Sequence, residues 1–222
     1  MKRSILVVAP HPDDETLGCG GALLRHKAEG DSLHWVIVTS MPRDAYPATH
    51  RKRRAAELRE VGRRYGFAST RELGFPTAGL ESVPRSELVD KMSAAFKAAR
   101  PDVAYLPHPG DVHSDHRVAF EAATACAKWF REPAPRRVLA YETLSETDAA
   151  LDATAQPFRP NVFVDITAHL ERKLDILQCY AGEIGEFPFP RSLEAVRSLA
   201  RVRGAAAGCA AAEAFQLLKE IL

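Results

Sequence analysis

The 222-residue sequence holds no apolar run of membrane-spanning length, no clustered cysteines and no excess of charge of either sign. Each absence removes a class of protein. A spanning helix needs roughly 18–20 consecutive apolar residues; the small-residue stretch 204–212 comes nearest, but Glu213 closes it and alanine-rich helix packing accounts for it. Met1-Lys2-Arg3 runs straight into the short stretch SILVVA, too brief for a signal-peptide core, so a cytoplasmic, unanchored protein is expected. Cys19, Cys126, Cys179 and Cys209 lie far apart with no C-x-x-C pair, which argues against a zinc ribbon or a disulfide framework and leaves reduced packing residues. Thirty Lys+Arg against 29 Asp+Glu give a formal net charge of +1, too weak a field to make nucleic acid or an anionic membrane the main partner. A small-molecule ligand is expected, and a homo-oligomer is left open.

With 46% apolar residues, the chain can bury one substantial core, so residues 1–222 are expected to form a single domain. The stretch 4–9 is continuously apolar and β-branched, as in a strand covered on both faces. The loop HPDDETLGCGG, a helix over 22–29 ending at Gly30 and a second buried strand over 33–39 complete a βαβ unit. Further on, the pattern predicts a helix over 51–65 ended by Gly66, a short strand over 71–75, a helix over 86–100 stopped by Pro101 and a strand over 103–107. The loop HPGDVHSDH follows, then a helix from about 116 to 130, a proline-punctuated turn and strands over 137–142 and 161–166. Helices are predicted over 167–180, 192–203 and 210–222. Together these describe an α/β fold: a Rossmann-like open, mostly parallel sheet with helices on both faces.

His11, Asp13 and Asp14 follow the first strand, and His113, Asp115 and His116 follow the strand over 103–107. In an open parallel sheet the loops at the carboxyl ends of strands line the ligand crevice, and right-handed crossovers bring both clusters to one edge. Two imidazoles and one aspartate suit Zn²⁺ with its fourth position left for water. Neighbouring aspartates cannot readily present the same geometry to one ion, so one binds metal while the other stands beside the water. The spacing of His113 and His116 puts them on one side of a helical turn, with Asp115 able to hold one ring in a chosen tautomer. Chemistry alone does not say which aspartate or which of those two histidines binds.

The segments Ala9-Pro10-His11-Pro12-Asp13-Asp14-Glu15 and His113-Ser114-Asp115-His116 resemble the HPDDE and H-x-D-H motifs of the PIG-L/LmbE-like family of zinc-dependent N-acetylglucosaminyl deacetylases. The resemblance extends to Arg54-x-x-Glu57, to Val164-Asp165-Ile166-Thr167 ahead of Lys173 and to Ala212-Glu213-Ala214-Phe215, and so covers essentially the whole chain. It implies that His11, Asp14 and His116 are the zinc ligands and Asp13 the general base. It also implies that His113, supported by Asp115, is a second acid/base or oxyanion-stabilising group, and that Arg54 helps to hold the sugar. Two departures bear on substrate identity: Tyr180 is followed by Ala181-Gly182-Glu183 where many members carry Ser-Gln, and Ser40-Met41 stands where Asn-Gly is common.

The expected reaction is removal of an N-acetyl group from an amino sugar or N-acetylglucosamine-containing conjugate, with zinc and a protonated His113 stabilising the oxyanion. The same donors also accommodate Fe²⁺, Co²⁺ or Mn²⁺. Metal-dependent amidase action on a non-sugar or thiol-conjugate acylamine is the alternative, and an inactive zinc- or sugar-binding protein a more distant one. Ordinary roles compete at single positions: Glu15 as a helix-capping group, Arg54 as part of a solvated basic face, and Arg191 as a residue that merely opens a late helix. Gly18, Gly20 and Gly21 do not have dinucleotide-loop spacing and read as close backbone packing. His108 is a candidate support for the second cluster.

Overall fold

A computed structural model of the chain describes residues 2–41, 46–130, 133–152 and 154–222. The chain runs β1 (Ser4–Ala9), α1 (Asp14–Ala28), β2 (Ser32–Ser40), α2 (Ala48–Tyr65), β3 (Ser69–Pro76), a 3₁₀ turn (Leu80–Ser82), α3 (Arg85–Ala99) and β4 (Val103–Pro107). It continues through α4 (Ser114–Cys126), β5 (Arg137–Tyr141), β6 (Val162–Asp165), α5 (Leu170–Leu177), α6 (Leu193–Ala207) and β7 (Ala212–Glu220). The strands make one sheet in the order β3-β2-β1-β4-β5-β7-β6. The first five in that order run parallel, whereas β7 pairs antiparallel with both β5 and β6.

Side chains alternate across β1, so Ile5, Val7 and Ala9 enter one core while Leu6 and Val8 enter the other. The first core is closed by α1, α2, α5 and α6 through residues such as Leu23, Val61, Leu174 and Val196. The second is closed by α3 and α4 through Leu88, Met92, Phe96 and Ala119. Burial on both faces explains why β1 reads as an unbroken apolar run.

Two expectations give way to tertiary contacts. Residues 212–220 are rich in Ala, Leu, Lys and Glu, all good helix formers, yet they form strand β7 instead of a helix over 210–222. Gly208, at φ 73°, ends α6 and reverses the chain, after which the backbone is captured between β5 and β6. Non-local pairing outweighs local propensity here. Helix α1, for its part, starts at Asp14, not near residue 22, and passes through a kink at Cys19 (φ −143°, ψ 20°).

The glycines make that entry close. A Cβ on Gly18 would lie 2.1 Å from the Tyr141 ring, and one on Gly21 2.7 Å from Ile166. The kink is sewn by a buried ion pair: Lys173 Nζ donates to Leu17 O (2.9 Å) and to Glu213 Oε1 (2.7 Å), while Glu213 accepts from the N–H groups of Gly21 (2.8 Å) and Ala22 (2.7 Å). No helix among the described residues is long and apolar enough to cross a membrane.

Candidate active site

β1 and β4 are neighbours, and their following segments turn to opposite sides of the sheet, so a crevice opens at their carboxyl ends. His11, Asp13 and Asp14 enter it from β1, and His113 and His116 from the start of α4. The ring centroids of His11 lie 4.5 Å from His113 and 5.3 Å from His116. Both sequence clusters therefore meet.

His11, Asp14 and His116 form one three-residue set that could hold an ion. His11 Nδ1 is 3.5 Å and His116 Nε2 3.3 Å from the same oxygen, Asp14 Oδ2. Ligand atoms about 2.0–2.2 Å from a tetrahedral ion are about 3.3–3.6 Å from one another, so these separations suit Zn²⁺ or a similar divalent cation. The outer bonds orient both rings. His11 Nε2 lies 3.1 Å from Asp115 Oδ2, and His116 Nδ1 lies 2.8 Å from Asp111 Oδ2. With their protons on those outer carboxylates, the inner nitrogens turn lone pairs toward Asp14. His116 Nε2 is buried with no hydrogen-bond partner among the described residues. Such an atom is costly unless a cation meets it.

Electrostatics report the same need. Burial opposes a charge on His11, yet hydrogen bonds to Asp115 and Asp14 lift its pKa to about 9. His116 is also raised, against its burial, by the charge of Asp14. Burial likewise opposes ionisation of Asp14, but the two rings hold its carboxyl well below the usual range. A divalent cation would take the place of the protons this pocket gathers.

Asp13 differs from its neighbour. It sits at φ 124°, a strained conformation for a non-glycine residue, and its carboxylate lines the pocket without accepting a hydrogen bond from the described residues. Burial, reinforced by the negative charge of Asp14, pushes its pKa up. Glu15 lies beneath, accepting from the Asp13 N–H at 3.2 Å and bonding to Thr16 and Tyr180; burial lifts its pKa to about 7.

His113 caps α4: its Nδ1 accepts from the Asp115 N–H at 3.1 Å, so the neutral ring carries its proton on Nε2. Burial and the nearby His11 lower its pKa, favouring a neutral donor over the protonated ring expected from sequence. The Asp115 carboxylate serves His11, not His113, and also accepts from the N–H groups of Ala78 (2.7 Å) and Leu80 (3.0 Å). With its oxygens so committed, Asp115 is a poor ligand in the competing set His11, His113 and Asp115. A third set, His26, Glu29 and Asp31, is occupied by Arg3, which bonds to all three.

The site opens into a cavity of about 260 Å³ whose wall includes Tyr46, Arg54, His113, Glu146, Glu183 and Arg191. Arg54 is mostly buried, pairs with Glu183 and Glu57, and lies over the Tyr180 ring, which places it in the pocket wall and not on a solvated face. Arg191 is also there, donating to Glu183 O at 3.0 Å. His108 instead bonds to Gln156 O and lines a neighbouring cavity of about 530 Å³; the support for His116 is Asp111. In the sequence Asp111 is recognisable only as another acid in the loop HPGDVHSDH and Glu183 only as the end of the departure Ala181-Gly182-Glu183, and Glu146 and Tyr46 have no motif around them.

Residues 6–127 match the family described as GlcNAc-PI de-N-acetylase, PIG-L. Among curated proteins, the chain is 30% identical to the 1D-myo-inositol 2-acetamido-2-deoxy-alpha-D-glucopyranoside deacetylase of Saccharomonospora viridis, over 81% of this chain and 85% of that one. Among solved structures, the conserved protein TT1542 from Thermus thermophilus superposes with a TM-score of 0.79 at 30% identity, covering 99% of this chain and 96% of the other. The fold is also shared by the 4-carboxy-2-hydroxymuconate hydratase GalB of Pseudomonas putida, at TM-score 0.77 and 20% identity over 100% and 98% of the two chains. Architecture by itself therefore does not choose the reaction. The family match spans more than half of the chain and includes both clusters that build the pocket, and the chain belongs to the PIG-L family of de-N-acetylases.

Proposed function

We propose that residues 1–222 act as a single metal-dependent N-deacetylase domain that hydrolyses the acetamide of an N-acetylglucosamine conjugate. His11, Asp14 and His116 hold the ion in this reading, and zinc is the metal that best suits two imidazoles and one carboxylate. When bound, such an ion supplies Lewis acidity and brings the pKa of a coordinated water toward about 7.

Asp13 accepts a proton as the water oxygen bonds to the acetamide carbonyl carbon. His113 Nε2–H donates to the carbonyl oxygen as negative charge gathers there. Asp13 then returns the proton to nitrogen, the C–N bond breaks, and acetate and a free amine leave. Arg54 and the walls around it orient the sugar. The cavity, at about 260 Å³, lies below the roughly 300–1,000 Å³ of sites for drug-sized ligands, so it takes one sugar ring and leaves the aglycone at the rim.

The observation that carries this reading is the pairing of an orphaned His116 Nε2 with an unbonded, buried Asp13 carboxylate: one asks for a cation, the other for a proton. The relative from Saccharomonospora viridis is named for an N-acetylglucosaminyl inositol, which makes sugar conjugates the first substrates to try. Zinc-loaded protein would be incubated with that conjugate and a panel of acetamido sugars, with products identified by mass. Chelator-sensitive release of amine and acetate is expected. Release only from non-sugar acylamines would establish the amidase alternative, and tight sugar binding with no turnover would mark a binding protein.

A further inference from the structure

Glu146 projects into the same cavity and has no part in the reaction above. It is half-buried, and among the described residues its carboxylate receives only a long contact from Ser145 Oγ at 3.4 Å. Among the described residues no cation pairs with it, whereas Glu183, on the same cavity wall, is engaged by Arg54 and Arg191. The surrounding charges of His116, Asp14, His11 and Asp111 belong to the ion site, and burial raises the Glu146 pKa.

The backbone that carries this carboxylate is held in place. Ser145, next to Glu146, adopts φ 75°, left-handed backbone that a non-glycine residue takes at a cost. The loop is tied on either side: Thr147 Oγ1 donates to Asp111 Oδ1 and accepts from the Thr143 N–H at 2.8 Å, and Val112 N–H donates to Glu146 O at 3.2 Å. Asp111 is also the partner of His116, so Glu146 is registered to the ion site through one intervening carboxylate. An anchored loop carrying a carboxylate with no ion-pair partner among the described residues presents a group able to accept from a donor in the cavity.

We infer that Glu146 determines specificity by binding a free ammonium on the sugar, so that the preferred substrates are N-acetylated amino sugars carrying a second, unacetylated amine. The inference rests on the deacetylase reading and narrows its substrate class. A hydroxyl can donate to the same oxygen, but only an ammonium also compensates the charge.

The test uses methyl N-acetylglucosaminide and its three analogues in which the 3-, 4- or 6-hydroxyl is replaced by an amine, assayed with zinc-loaded protein for acetate release. At least one amino analogue should exceed the parent by about tenfold in kcat/KM, chiefly through KM, as expected of a charged hydrogen bond. In Glu146→Gln that advantage should vanish, and in the shorter but charged Glu146→Asp it should survive in part. Thermal melts of each variant confirm that the fold is kept. Acetate release from the parent with no amino preference, or a preference unchanged in Glu146→Gln, would overturn the inference while leaving the deacetylase reading intact. No acetate from any of these sugars, with turnover of other acylamines, would sink both.

Discussion

Two buried charged groups lie along the first turns of α1, and they are built oppositely. On one side Lys173 and Glu213 meet at 2.7 Å, with the remaining hydrogen-bonding capacity directed to Leu17 O and to the N–H groups of Gly21 and Ala22. On the other, His11, Asp14 and His116 crowd three electron-rich atoms together, and among the described residues His116 Nε2 has no hydrogen-bond partner and the Asp13 carboxylate accepts no hydrogen bond. The first group is complete within the chain and works as a structural clasp. The second is incomplete among the described residues and is arranged to receive a cation. Full satisfaction marks a scaffold, and a deficit confined to one cleft marks a site.

Substitutions should separate the two. The largest effect is expected for Asp13→Ala, which should lose about 10²–10⁴ in turnover while its metal content, measured on the purified protein, stays at the wild-type level. His116→Ala should instead lose the metal itself. A variant lacking Asp13 that turned over normally would remove the distinction between ligand and base.

At the clasp, Lys173→Met should cost about 3–5 kcal/mol of stability, because Glu213 is left buried without its cation. Denaturant melts should show that loss with zinc affinity per folded molecule unchanged. Coupled loss of affinity would mean that the clasp also shapes the site.

The contrast can be sharpened with pH. His11 has a raised pKa of about 9 in the metal-free protein, so its stabilising contribution is fully present below its unfolded value near 6.5 and is lost as pH rises through about 9. That corresponds to on the order of 3 kcal/mol, read from melts of the apoprotein. Metal binding runs the other way, tightening about tenfold per pH unit for each imidazole proton displaced. The smallest effect is expected for Asp111→Asn, which should weaken zinc binding about 10–100-fold by disturbing the ring that Asp111 holds.

The clasp and the site also differ in how far they can be read from sequence. His11, Asp14 and His116 sit in compact motifs directly beyond strands, so spacing and the rule for carboxyl-end loops bring them together. Lys173 and Glu213 resemble family positions too, but nothing local says that one caps the carbonyl end of a half-helix while the other caps the amide end of the next. The helix-forming neighbours of Glu213 predict a helix there, and only pairing with β5 and β6 makes that segment a strand. Arg54 and Arg191 are ambiguous in the sequence for a related reason: a basic residue near a helix start looks the same whether it faces water or a cavity. Asp111 and Glu146 carry no motif, and their importance lies in what they touch.

Strand and helix alternation, the two acid-histidine clusters and their placement beyond β1 and β4 follow from the order of residues alone, because hydrophobic period and strand-end position are local properties. Which carboxylate is left unpaired, which imidazole nitrogen faces inward and how β7 closes the sheet are set by contacts between residues far apart in the chain. Those choices depend on the desolvation and hydrogen-bond completion of groups that meet only after the sheet has formed.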